Sequence, residues 1–133
     1  MNANVKAVIE ECTRESDAER ITFGQVVMKL IEAGVERYHA DLVRSEKIYY
    51  MPDGENVSLP CHAVKTVPAR EFSAAGVDAA VRAIQTGKIQ YREFCERIAA
   101  SGCAGYLVSL AGRRAVYYGR TGEMHVEMFP GAK

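Results

Sequence analysis

His39 and Asp41 stand two residues apart in the run Arg37-Tyr38-His39-Ala40-Asp41, where polar and apolar residues alternate. On an extended strand that spacing puts both side chains on one face. There an imidazole that titrates near neutrality, beside a carboxylate, can act as general acid and base. Tyr49, read onto the same face from the next strand, and Tyr117 add phenols, so His39, Asp41, Tyr49 and Tyr117 are the candidate catalytic residues. Arg37, His39, Ser109 and His125 are the candidate ligand-binding residues of a polar pocket on that face. The same residues fit two plainer roles. Antiparallel sheets commonly leave one side in water, and a face of small residues can also pack on a second subunit.

Other chemistry is weaker. Cys61 precedes His62, and a nucleophilic cysteine needs a base to make it a thiolate. Neighbours on an extended chain point to opposite sides, so the base would have to be His39 or His125, and a buried or incidental thiol is preferred. The histidines and carboxylates show no metal-ligand spacing, so no metal and no cofactor are expected. Arg113, Arg114 and Arg120 lie around Tyr117 and Tyr118. A sheet with exposed aromatics can stack bases, but so short a cluster in a chain of formal net charge +0 makes nucleic-acid binding unlikely. There is no phosphate loop, nucleophile elbow or dinucleotide fingerprint.

The elements that must position these residues come in two matching sets. Residues 21–55 align without a gap onto residues 89–123 at an offset of 68, matching Gly34 with Gly102, Tyr38 with Tyr106, and Tyr49-Tyr50 with Tyr117-Tyr118. Val5, Val8, Ile9 and Cys12 recur at helical spacing and predict a helix over about 4–15. Thr22 and Gln25 form a capping box for a second helix with Phe23, Val26, Val27, Leu30 and Ile31 on one face, stopped by Gly34. A hairpin follows. A loop of Arg44, Ser45 and Glu46 would set Leu42 opposite Ile48 and Ala40 opposite Tyr50, all facing the helices. Pro60 and Pro68 limit residues 55–72 to a short edge strand around 57–59 and an irregular linker. From Ser73 the pattern repeats: a helix with Val77, Ala80, Val81 and Ile84, then one with Tyr91, Phe94, Cys95, Ile98 and Ala99, poorly capped by Gln90. A hairpin follows with Tyr106, Val108 and Leu110 facing inward against Val116 and Tyr118, and a last strand in which Met124, Val126 and Met128 alternate with His125, Glu127 and Phe129.

Helices grouped before strands predict an α+β fold with an antiparallel sheet and four helices packed on one face. The chain reads as a single domain over 1–133, built of two pseudo-repeats, about 4–59 and 73–129, of helix, helix and two or three strands. In this reading the outward positions of the copies diverge, Arg37, His39, Asp41, Lys47 and Tyr49 falling against Gly105, Leu107, Ser109, Ala115 and Tyr117.

At 133 residues, 48% hydrophobic and 26% charged, the composition is that of a soluble globular protein. Residues 1–68 carry 8 basic and 11 acidic groups, and residues 69–133 carry 9 and 6. Neither half is basic enough to attract phosphates through counterion release. No apolar run approaches a membrane span, the first residues lack a secretory pattern, and Cys12, Cys61, Cys95 and Cys103 contain no Cys-x-x-Cys pair. A cytoplasmic protein with reduced thiols, and no membrane partner, is expected.

The run Glu19 to Glu55, ERITFGQVVMKLIEAGVERYHADLVRSEKIYYMPDGE, with Gly34, Val35, Tyr38, Asp41 and the tyrosine pair as its most recognisable part, resembles the YbcV-like family. These are bacterial and phage-associated proteins sometimes labelled phage envelope protein. The resemblance implies an α+β domain of unknown function and brings no catalytic residues with it. Nothing in the chain looks like a coat, an anchor or a secreted protein. The preferred reading is a non-enzymatic binding or protein-interaction module that uses the open sheet face, as a homodimer or with an unidentified small molecule or protein. The alternative is a small enzyme built on the His39, Asp41 and tyrosine cluster.

Overall fold

The computed structural model describes residues 1–130; the last three residues of the expected 1–133 domain lie outside the described residues. In chain order the elements are α1 (Ala3–Asp17), α2 (Phe23–Glu32), β1 (Arg37–Asp41), β2 (Glu46–Tyr50), β3 (Asn56–Pro60), α3 (Ala74–Gln85), α4 (Tyr91–Ala100), β4 (Cys103–Ser109), β5 (Arg114–Gly119) and β6 (Met124–Met128). Six strands form one sheet in the order β3-β2-β1-β4-β5-β6, every neighbour antiparallel. The fold is α+β.

Local chemistry explains the helix ends. Thr22 accepts from the Gln25 amide while the Gln25 side chain accepts from the Thr22 amide, the full capping box. Ser73 caps α3 by accepting from the Gly76 amide, whereas Gln90 makes no side-chain cap on α4. After α2 and α4 the chain turns through Gly34 (φ +85°) and Gly102 (φ +91°), a left-handed backbone that suits glycine. The core between helices and sheet is centred on Ile9, Leu30, Val77, Ile98 and Val108.

The two halves meet at β1 and β4, where Arg37 pairs with Ser109, His39 with Leu107 and Asp41 with Gly105. Adding 68 to each hairpin and edge-strand pairing of the first half gives one of the second: Tyr38 with Tyr49 becomes Tyr106 with Tyr117, and Lys47 with Leu59 becomes Ala115 with Glu127.

The hairpin register corrects the sequence reading by one residue. The loop is Leu42 to Ser45, with Asp41 paired to Glu46 and Ala40 to Lys47. Ser45 takes φ 53°, and the Asp41 carboxylate accepts from the Val43 and Arg44 amides. This closes a four-residue turn and leaves Glu46 in the strand, whereas a loop of Arg44 to Glu46 had seemed natural. Because side chains alternate, a one-residue change flips a whole strand. Lys47 and Tyr49 therefore face the helices, and Ile48 and Tyr50 face out. The second hairpin behaves the same way, with Arg113 at φ 54°. Ala115 and Tyr117 are buried, Val116 and Tyr118 look outward, and on β6 His125 and Glu127 turn to the helix side while Met124 and Val126 are exposed.

The linker after β3 runs along α4. The Lys65 and Thr66 amides and the Thr66 hydroxyl donate to the Glu96 carboxylate. The Ala69 amide donates to the Ala99 carbonyl, and that of Ser73 to Ser101.

Candidate functional site

Two places bring chemistry-bearing side chains together, one on each side of the sheet. On the open face, His39 Nε2 is 2.6 Å from the Tyr118 hydroxyl, and the two rings stack with centroids 5.7 Å apart. Gly105 makes this possible, since a Cβ there would collide with the Tyr118 hydroxyl and the Ala40 carbonyl. The small residue on β4 thus accommodates a tyrosine of this same chain. Arg37 lies over the Tyr50 ring, 4.2 Å from its centroid. Asp41 and Ser109 occupy matching positions and do matching work: Asp41 accepts from the Arg44 amide, and Ser109 Oγ accepts from the Gly112 amide. Both are turn caps.

The predicted catalytic set does not assemble on one face. Tyr49 and Tyr117 are buried on the helix side, with Tyr49 at 2.8 Å from the Thr13 hydroxyl and Tyr117 edge-on to Phe94. Burial raises both phenols above their ordinary pKa. His39 keeps Asp41 as a same-face neighbour, but its hydrogen-bonding partner is Tyr118.

His125 belongs to a third group, on the helix side of the opposite edge. Its Nε2 is 3.3 Å from Glu127 Oε2 and 3.7 Å from Asp78 Oδ1. One ligand atom from each of the three residues lies within 4.8 Å of the others, a spacing that could hold a metal ion. Arg82 already neutralises the pair of carboxylates, its Nη2 reaching Asp78 at 3.2 Å and Glu127 at 2.5 Å.

The helix side of the first half holds the more unusual cluster. Lys47 is only 4% exposed and forms no ion pair among the described residues. Its Nζ lies 4.6 Å from the centre of the Tyr91 ring and 6.0 Å from that of Tyr38. Buried cations are normally paired, because removing them from water is expensive. Desolvation accordingly drives the Lys47 amine below the usual lysine range, partly opposed by Cys61, Cys95, Asp17 and Cys12. Cys61 follows Leu59, the cross-strand partner of Lys47, by two residues and so lies on the same side as its diagonal neighbour. Burial raises the Cys61 thiol and pushes Cys95 up to about 12, so neither is a ready thiolate. His62 packs edge-on to the same Tyr91 ring, donor or acceptor to Asp17 through Nδ1 at 3.1 Å. Its side chain is 7% exposed, and its buried Nε2 has no hydrogen-bond partner.

Residues 53–128, more than half of the chain, match a family described as protein of unknown function, DUF1398. The chain belongs to the DUF1398 family. A search of curated proteins finds no match. The match to DUF1398 includes Cys61, His62, Tyr91 and Cys95 but begins after Lys47, so only part of the buried cluster lies within it.

Sequence reasoning about this DUF1398 chain missed Lys47 as an interior residue and Tyr118 as the partner of His39. Both follow from the shifted register. The Asp78, His125 and Glu127 group had no local signal, since it joins an i, i+2 pair on β6 to a residue of α3. Lys47 did carry one: it is the only lysine in a strand of this sheet, and residue 115, its match in the second half, is alanine.

Proposed function

We propose that this protein is a non-enzymatic interaction module whose open sheet face packs against the same face of a second copy. The observation that carries this reading is a registered row crossing the sheet, Ile48, His39, Leu107, Val116 and Val126, on the side away from the helices. Val126 is 44% exposed, and Met124 beside it 64%. The β1 and β4 pairings run symmetrically about His39 and Leu107, so the middle of the face has a local two-fold character. A two-fold dimer contact sets one patch against its own copy, and aligned sheets pack face to face about 10 Å apart.

Size supports a transient association. Six strands at about 4.8 Å spacing and five residues at about 3.3 Å rise cover roughly 24 by 17 Å, or about 400 Å². A standard interface takes about 800 Å² from each partner. The dimer is therefore concentration-dependent. Sedimentation velocity from about 1 to 300 µM should show the mean mass rising towards two copies, and Leu107→Asp, which puts a charge at the centre of the row, should remain monomeric with an unchanged circular dichroism spectrum. A wild-type chain that stays monomeric over the whole range refutes the reading.

The proposal extends to a cytoplasmic location, supported by four free cysteines, and to the phage-associated YbcV-like group that residues 19–55 resemble. The enzymatic alternative keeps one supporting observation, the short His39 to Tyr118 hydrogen bond. It would use those two groups in place of the tyrosines Tyr49 and Tyr117.

A further inference from the structure

The matching positions of the two halves show what this fold requires at the Lys47 site. In the second half the place of Lys47 is taken by Ala115, that of Tyr91 by Phe23, that of Cys61 by Phe129 and that of Cys95 by Val27. Phe23 and Phe129 pack edge-on with centroids 5.5 Å apart, and Ala115 is buried. The same location is thus filled by hydrocarbon in one half and by an amine, a phenol and two thiols in the other. Packing alone does not call for a lysine there.

We propose that Lys47 is a carbonyl-reactive amine, and that the space around Tyr91, His62 and Cys61 is a site for a small aldehyde held as an imine. Several observations converge on this. The amine has no carboxylate to keep it charged, and a lysine in apolar surroundings is the usual form of a Schiff-base nucleophile. The unpartnered His62 Nε2 packs on the same Tyr91 ring and is oriented through Nδ1 by Asp17, leaving a buried polar group able to bond the oxygen of a bound carbonyl. The segment over the site, from Cys61 to Val64, belongs to no helix or strand and is tied to Ser45 by two hydrogen bonds, from the Cys61 amide to the Ser45 carbonyl and from the Val64 amide to Ser45 Oγ. It is the part that must shift to admit a ligand. The closed form leaves little room, which restricts the ligand to a small aldehyde.

In the reaction the Lys47 nitrogen lone pair forms a bond to the carbonyl carbon. A proton passes from nitrogen to oxygen, giving a carbinolamine, and the hydroxyl then leaves with a second proton as water, giving the C=N bond. No electrons are gained or lost.

The test uses acetaldehyde with sodium cyanoborohydride, which delivers hydride to the imine and fixes it as N-ethyl-lysine. Full-length folded protein is treated at pH 7 with limiting reagent, and each lysine peptide is followed by mass spectrometry. Lys6, Lys29, Lys65 and Lys88 are exposed and serve as internal controls. An exposed lysine is less than about 0.1% amine at this pH. Lys47 should label at least roughly tenfold faster than the controls, and in Lys47→Met the fast fraction should vanish while control peptides label as before. Labelling of Lys47 at or below the rate of the controls, or adducts confined to Cys61, overturns the proposal. A Lys47 that labels only after urea unfolding overturns it as well.

Discussion

Replacing Lys47 by methionine should make the protein more stable. Methionine retains an unbranched apolar stem of similar length and removes the amine, which is buried without an ion-pair partner among the described residues. Exchanging buried charged groups for apolar residues of similar volume is often stabilising by about 1–4 kcal/mol. Against this stands the loss of the contact with the Tyr91 ring, worth about 0.5–2 kcal/mol for a desolvated cation. The difference leaves a net gain of about 0.5–2 kcal/mol, or a Tm rise of roughly 2–8 °C for a chain of this size. Urea titration and thermal melts at several pH values measure it.

The pH dependence gives the sign. Folding lowers the lysine pKa, mainly by desolvation, so between the folded value and the unfolded value of about 10.4 the unfolded chain binds more protons and wild-type stability rises with pH. The penalty is fully present below the folded value and is lost as pH approaches the unfolded one. The advantage of Lys47→Met should therefore be largest at low pH and shrink upward by at most about 1.4 kcal/mol per pH unit. The groups around the amine are Cys12 and Asp17 on α1, Tyr38 on β1, Cys61 after β3, and Tyr91 and Cys95 on α4; they are present in both chains, so their own titrations cancel to first order in the difference. A variant less stable than wild type by more than about 1 kcal/mol at neutral pH, or an advantage that grows with pH, would refute the argument.

Other outcomes follow from single contacts. Gly105→Ala should destabilise by about 1–3 kcal/mol, because the new methyl meets both the Tyr118 hydroxyl and the Ala40 carbonyl; chemical denaturation measures this, and loss of the His39 to Tyr118 bond should appear as a changed histidine titration by NMR. Gln90→Ser should add about 0.5–1 kcal/mol by giving α4 the cap it lacks, while Thr22→Ala should remove about 1 kcal/mol from a capped α2. Arg82→Ala frees Asp78 and Glu127 from their guanidinium, so zinc should raise the Tm of the variant and leave wild type unchanged. Cys95, held protonated to about pH 12 by burial while an unfolded thiol ionises near 8.5, contributes stability that is complete below about pH 8.5 and declines from there towards pH 12. Cys95→Val, the residue at the matching position of α2, should flatten that alkaline decline in denaturation curves.

Helix positions, their caps and the terminating glycines were legible because each depends on residues within one turn: Thr22 with Gln25, Ser73 with Gly76, Gly34 after Leu30. Strand facing was less so. Tyr49-Tyr50 and Tyr117-Tyr118 present identical residues to both faces, so the apolar pattern of β2 and β5 does not say which tyrosine is inside. The decision falls to the turn, where Ser45 and Arg113 adopt positive φ although neither is glycine, a choice no composition signal announces. His39 was assigned to the correct face because β1 alternates cleanly, whereas its real partner, Tyr118, had been counted as core.

That ambiguity also bears on where function is to be sought. When the halves are compared in the wrong register, Lys47 opposite Ala115 looks like a solvated charge facing a small-residue floor. In the true register both are interior, and the contrast between them is between a paid-for buried amine and an ordinary methyl. A surface lysine replaced by alanine changes stability by a few tenths of a kcal/mol, so such a difference carries little information. An interior one imposes a desolvation penalty that only a partner or a chemical task offsets. Tyr91, Cys61 and Cys95 replace Phe23, Phe129 and Val27 around the same point, so four hydrocarbon positions of one half have become polar together in the other. Polar groups scattered by neutral change would not gather about one ring. Their convergence on Tyr91 makes the helix side of the first half, more than the turn-capping Asp41 and Ser109 of the open face, the place where chemistry has been added to this fold.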